Sequence, residues 1–124
     1  MRQDDIHIDV KIQFVEQHSQ AADNRYVYAY TITICNRGTR AAQLISRQWK
    51  IKDSRNKIQE VRGLGVVGEQ PRLQPGERFT YTSSVVLETL TGTMEGKYQM
   101  QCDNGDTFDA DIPMFALASP LAIH

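Results

Sequence analysis

Cysteine is scarce in this chain, which has only Cys35 and Cys102 among 124 residues. Two cysteines are too few for a disulfide framework, and they lack the C-x-x-C spacing of a metal knuckle or redox pair. We therefore predict two free thiols and a reducing compartment.

Net charge and long apolar runs are also lacking. The 14 basic and 15 acidic residues leave a net charge of -1, which gives no general attraction to nucleic acid. No apolar run approaches the roughly 20 residues that span a bilayer. The N-terminus "MRQDDIHIDV" carries acidic residues where a signal peptide would be basic. We expect a cytoplasmic protein that neither binds nucleic acid nor inserts into a membrane.

Helical periodicity is absent, and period-2 alternation takes its place. Apolar residues recur at every second position from Ile6 to Phe14 and from Tyr26 to Ile34, and Ile45, Trp49 and Ile51 share one phase. "RFTYTSSVVL" is a further predicted strand, and a short one is predicted at Lys57 to Val61. These segments predict a chain built from strands.

The predicted turns divide these strands. A reversal is expected at Asp53 to Asn56, and Pro75-Gly76 suits the two central positions of a turn. Asn104-Gly105 joins two alternating runs and predicts a type I′ hairpin.

Together these signals predict a single domain over residues 1–124 with an all-β fold of about seven strands. The expected architecture is an antiparallel β-sandwich over about residues 6–115, with a tail at 116–124. Cys35, Trp49 and Cys102 resemble the immunoglobulin Cys-Trp-Cys pattern, but their phases place the two sulfurs on opposite sides of their sheets. We interpret Trp49 as a core residue of a facing strand and Tyr98 as a tyrosine-corner residue.

The stretch "VRGLGVVGEQP" contains Gly63-x-Gly65-x-x-Gly68, the spacing of a dinucleotide-binding fingerprint. That fingerprint needs a helix directly after it, whose N-terminus binds the pyrophosphate. Pro71, Pro75 and Gly76 leave no room for such a helix. The sequence therefore argues against a Rossmann-type site.

Two uses of this stretch stay open. Its backbone amides could form an anion nest flanked by Arg62 and Arg72. Its glycines could instead serve a long inter-strand loop, by adopting positive φ or admitting a close approach of backbone. In that loop Leu64, Val66 and Val67 either fold under it or form an exposed patch for a partner.

No other pattern indicates catalysis, a cofactor or a metal site. An aspartate group near the hairpin does not match an EF-hand loop and fits a solvated acidic stripe, and the histidines lack metal-ligand spacing. No nucleophile elbow, H-E-x-x-H motif or P-loop lysine is present. The aspartates are Asp103, Asp106, Asp109 and Asp111, and the histidines are His7, His18 and His124.

Several runs resemble the ApaG family, in order and over about Val10 to Pro120. They are "YAYTITICNRG", "AQLISRQWKI", "VGEQPRLQPGERFTYTSSVVLETLTGTMEGKYQM" and "FDADIPMFALASP". The resemblance implies an immunoglobulin- or fibronectin-III-like β-sandwich of seven to eight strands. It implies a protein-interaction role as well, since similar domains are appended to an F-box protein and a polymerase-interacting protein. It also implies a gene position beside a diadenosine tetraphosphate hydrolase and an indirect link to cobalt and magnesium efflux. It implies no catalytic residues.

We therefore expect a non-enzymatic module that binds an unidentified protein partner, without cofactor, metal or catalytic residues. The alternative is binding of a small anion or nucleotide pyrophosphate at the same loop. The predicted site consists of Arg62, Gly63, Leu64, Gly65, Val66, Val67, Gly68 and Arg72.

Overall fold

The computed structural model describes residues 5–118, which form an antiparallel β-sandwich of eight strands, as predicted. The strands are β1 (Ile6–Phe14), β2 (Tyr26–Asn36), β3 (Ala42–Asp53), β4 (Ile58–Leu64), β5 (Arg72–Leu73), β6 (Arg78–Leu87), β7 (Gly92–Cys102) and β8 (Thr107–Leu117). Two 3₁₀ turns, Glu16–His18 and Ala21–Asp23, connect β1 to β2.

The strands form two sheets. The smaller sheet has the order β1-β2-β6, and the larger has the order β4-β3-β7-β8, with β5 also paired to β3. Lettered as in immunoglobulin domains, these are strands A, B and E against C′, C, F and G. The larger sheet therefore ends in two edge strands, β4 and β8.

The core lies between the sheets and is rich in aromatic residues. Tyr28, Tyr30, Ile32 and Ile34 of β2 are all buried, which confirms the predicted phase of that strand. Trp49 of β3 meets Tyr30 of the opposite sheet edge-on, with ring centroids 5.6 Å apart. Trp49 is a core residue as predicted. Its strand, β3, does not face β7 across the core but pairs with it in the same sheet.

Gly96 of β7 is paired directly with Trp49 and provides space for its indole. A Cβ at Gly96 would lie 2.2 Å from the Gln48 carbonyl oxygen and 2.9 Å from Trp49 Cε3. Because a backbone atom causes the closer contact, a side chain here would displace β3 from β7.

The predicted phase of β3 is correct for Trp49 and Ile51 and wrong for Ile45. A register shift between Leu44 and Ser46 makes Ile45 the extra residue of a β-bulge. The core residue at this level is Leu44, whereas Ile45 is only partly buried. The bulge matters for the site below, because the Ile45 carbonyl accepts hydrogen bonds from the Gly65 amide (2.8 Å) and the Gln70 side chain (2.9 Å).

The predicted turns are only partly correct. Gly76 has φ 87° and the Glu77 amide donates to the Gln74 carbonyl, as expected for the turn at Pro75-Gly76. The hairpin at Asn104-Gly105 is not a type I′ turn, because only Gly105 has positive φ. Its Gly105 amide donates to the Cys102 carbonyl, which is the pattern of a three-residue loop ending in a left-handed residue.

Two strands are longer than predicted. β4 extends through Gly63 and Leu64, so the first part of the glycine stretch is a strand and not a loop. β8 continues to Leu117, into the segment expected as a tail. His124 lies outside the described residues.

The tyrosine-corner interpretation of Tyr98 is wrong. Its hydroxyl pairs with the hydroxyl of Tyr81 from the opposite sheet at 2.5 Å, within the buried core. The tyrosine that donates to a backbone carbonyl is Tyr28, to Leu90 at 2.5 Å. Cys35 and Cys102 are both buried free thiols.

Candidate functional site

The glycine stretch forms the end of β4 and a tight turn that follows it. Val66 and Glu69 pair through two backbone hydrogen bonds of 2.8 and 2.9 Å. The two residues between them, Val67 and Gly68, have φ of 43° and 81°. Two consecutive positive φ values define a type I′ turn, the geometry that we predicted elsewhere, at Asn104-Gly105.

Val67 is an unusual residue for this turn. Asn, Asp or Gly normally occupies both central positions, and a β-branched residue with positive φ is an outlier. Val67 is 55% exposed, whereas the neighbouring Val66 is fully buried in the core. The loop's apolar residues are therefore divided: Val66 folds under the loop, while Val67 and Leu64, which is 75% exposed, face solvent.

Arg47 of β3 holds the loop from beneath. Its Nη1 donates to the carbonyls of Leu64 at 3.1 Å and Gly65 at 2.9 Å. Gly63 admits this guanidinium, since a Cβ there would lie 2.8 Å from Arg47 Nη1. The loop thus directs carbonyl oxygens toward a cation of its own chain, which is the reverse of a phosphate cradle.

The loop amides are largely engaged within the protein. The N–H of Gly65 donates to Ile45, that of Val66 to Glu69, and that of Glu69 to Val66. Three of the donors that an anion nest would need are therefore already bonded.

The flanking arginines do not converge on the loop. Arg62 is opposite Gln48 and Arg72 is opposite Gln43, five positions apart along β3, or roughly 16 Å. Arg72 forms a two-pronged ion pair with Asp103, at 3.0 and 2.5 Å. The hydrogen bond from Arg72 lowers the pKa of Asp103, while the same bond raises the pKa of Arg72.

The exposed apolar side chains continue along β4. Ile58 is 49% exposed and Val61 is 38% exposed, in addition to Leu64 and Val67. A groove of about 360 Å³ opens between β4 and β6, lined in part by Val61, Gln59 and Val85.

Two of the other candidate residues, Asp109 and His7, lie beside a charged neighbour on the surface. Asp109 lies 3.5 Å from Lys97, and His7 lies 3.2 Å from Asp9 on the surface. Within residues 5–118, no three His, Cys, Asp or Glu side chains come together as a group that could hold a metal ion. In that same part of the chain, no helix has the length and apolar character needed to cross a membrane.

Known proteins resemble this chain in both sequence and fold. The family model that describes the ApaG domain matches residues 16–102 of this chain. Protein ApaG of Aromatoleum aromaticum is 54% identical over 119 residues, covering 96% of this chain and 94% of that protein. The chain belongs to the ApaG family. Protein ApaG of Thiobacillus denitrificans is 55% identical with the same coverage.

A solved structure supports the same assignment. The crystal structure of the ApaA protein from Bordetella pertussis is 47% identical, with a TM-score of 0.91 and 94% coverage of both chains. The ApaG resemblance seen in the sequence is thereby confirmed for both family and fold.

Sequence reasoning missed the residues that shape the loop. Arg47 lies on the same face of β3 as Trp49 and Ile51, because the three residues are two positions apart. A charged residue on an otherwise apolar face was the sequence feature that could have indicated its role. The bulge at Ile45 has no comparable signal in the sequence. Of the predicted site residues, the structure brings Gly63 to Gly68 together and leaves Arg72 apart with Asp103.

Proposed function

We propose that the chain is a non-enzymatic binding module that contacts a protein partner through Leu64 and Val67. The observation that carries this proposal is Val67, an apolar β-branched residue that has positive φ and is largely exposed. A left-handed conformation for such a residue costs on the order of 1 kcal/mol or more and contributes nothing to the core. Strain of this kind is concentrated at functional sites.

The surroundings of Val67 support a preformed contact. Val66 anchors the turn in the core, and Arg47 binds the carbonyls just before it. A partner therefore meets a side chain whose backbone is already ordered, which lowers the entropic cost of binding. Leu64 adds a second large apolar side chain at the end of β4.

The alternative of binding a small anion or a nucleotide pyrophosphate has weaker support, because three of the loop amides and Arg72 already have partners. An effect on cobalt and magnesium efflux, which the family resemblance implies, would in this proposal be transmitted by the bound protein.

The cytoplasm as location is supported by the two buried free thiols, which suit a reducing compartment.

The test compares the double variant Leu64→Asp/Val67→Asp with the unmodified chain in affinity capture from native cytoplasm, quantified by mass spectrometry. Val66 is left unchanged, since an aspartate there would be buried and would unfold the protein. Val86→Asp, at an exposed valine of β6, is the matched control.

We expect the double variant to melt like the control and to lose at least about 90% of a partner that both other chains retain, because charged groups cannot replace the apolar contacts. Equal capture of that partner by all three folded chains would overturn the proposal.

A further inference from the structure

The two edges of the larger sheet differ in how they are protected from pairing with another strand. β8 carries Pro113 and an irregular register with β7 between Met94 and Gly96. Proline and bulges are the usual devices that block an edge. β4 has neither, since its seven residues contain no proline or lysine and its register with β3 is continuous.

The sequence of β4, "IQEVRGL", is complementary to itself when reversed. In an antiparallel pair of two copies centred on Val61, Glu60 of each copy would face Arg62 of the other. Ile58 would face Leu64, and Val61 would face Val61. Residues directly opposite each other share a face of the sheet, so opposite charges and apolar side chains would meet.

Of the side chains that would meet, the apolar ones and Glu60 are available for pairing, while Arg62 lies beside the Gln48 amide, to which its guanidinium can donate. Ile58, Val61 and Leu64 are all exposed, and no ion pair or hydrogen bond of Glu60 is seen within residues 5–118. The net charge of -1 adds little repulsion between copies.

We propose that β4 pairs antiparallel with β4 of a second copy of this chain, about a two-fold axis at Val61, and joins two larger sheets into one. This goes beyond the proposed function, because the partner is a second copy and the contact is the backbone edge of β4. The two proposals share only Leu64. A seven-residue edge is small beside the roughly 800 Å² per partner of a stable interface, so the dimer is weak and depends on concentration.

The charges on β4 provide the first test, by sedimentation velocity between about 10 µM and about 1 mM protein at low salt. We expect a monomer at the lower limit and mostly dimer at the upper one. Glu60→Arg and Arg62→Glu each place like charges opposite each other and should weaken association at least tenfold. The double variant Glu60→Arg/Arg62→Glu restores opposite charges and should return to within about threefold of the unmodified chain. Asp111→Arg, on the protected β8 edge, is the matched control.

The two-fold axis provides the second test. In the proposed dimer, Val61→Cys places a thiol directly opposite the same thiol of the second copy. It should form a disulfide-linked dimer on mild oxidation at about 0.5 mM protein, because the separation of directly opposite residues permits a disulfide. Met114→Cys, at an exposed residue of β8, should stay monomeric. Cys35 and Cys102 are buried and do not compete.

The proposal is overturned if the chain sediments as a monomer up to about 1 mM, or if it dimerises with no response to the charge reversals. It is equally overturned if Val61→Cys crosslinks no more than Met114→Cys. None of these results would affect capture of another protein through Val67, so the two proposals fail separately.

Discussion

Val66 and Val67 are adjacent in the chain, yet Val66 is fully buried and Val67 is 55% exposed. The type I′ turn from Val66 to Glu69 produces this division, since it directs one valine under the loop and the next into solvent. The glycines around them serve backbone geometry: Gly65 and Gly68 have positive φ, and Gly63 makes space for Arg47. The glycine fingerprint spacing therefore corresponds here to a supported turn.

Arg47 should be the side chain that orders this turn. Arg47→Ala removes two hydrogen bonds from a charged donor to the Leu64 and Gly65 carbonyls, so we expect a loss of about 1–2 kcal/mol in the free energy of unfolding. The Gly65 amide, bonded to Ile45, should exchange its hydrogen faster, as measured by NMR hydrogen exchange. Arg62→Ala is the control, because Arg62 lies beside Gln48 and not under the turn. Unchanged protection of Gly65 in Arg47→Ala would contradict this role.

The buried hydroxyl pair Tyr81–Tyr98 should behave as a unit. Tyr81→Phe or Tyr98→Phe leaves one buried hydroxyl without its partner, and each should cost about 1–2 kcal/mol. The double variant removes both hydroxyls and should cost no more than the worse single variant. Chemical denaturation of the four proteins gives the coupling energy. Additive losses would show that the two hydroxyls do not depend on each other.

The same pair makes stability sensitive to alkaline pH. Burial raises the pKa of both Tyr81 and Tyr98 above the ordinary tyrosine value. As pH rises past about 10, the unfolded chain loses these protons first, so the folded state loses stability by up to about 1.4 kcal/mol per pH unit for each group. Below that pH the pair contributes no pH dependence. Unfolding free energies measured from pH 9 to 11 should fall less steeply for the double phenylalanine variant than for the unmodified chain. Equal slopes would contradict the assignment of this pH dependence to the pair.

Much of the fold could be predicted from the sequence because its signals are local. The alternation from Ile6 to Phe14 and from Tyr26 to Ile34 depends only on period 2, and Pro75-Gly76 carries its turn geometry in its own backbone. The family assignment rests on matching residues along most of the chain.

What could not be predicted depends on contacts between distant residues. The bulge at Ile45 shifts the phase of β3 without any change in composition. The turn at Val67 runs against local preference and persists only because Val66 is buried and Arg47 binds the preceding carbonyls. The division of the loop's apolar residues into buried Val66 and exposed Leu64 and Val67 therefore required the structure.

The proposed role of Val67 is to present an apolar side chain to a partner from a strained backbone conformation. The variant Val67→Asn tests this directly, because asparagine tolerates positive φ better than valine and removes the apolar contact. Thermal unfolding and quantitative partner capture are measured on the same preparation. We expect a melting temperature raised by roughly 2–6 °C, from relief of about 1 kcal/mol of strain, together with at least a tenfold loss of the captured partner. A variant that is more stable and captures the partner as well as the unmodified chain would contradict this role of Val67.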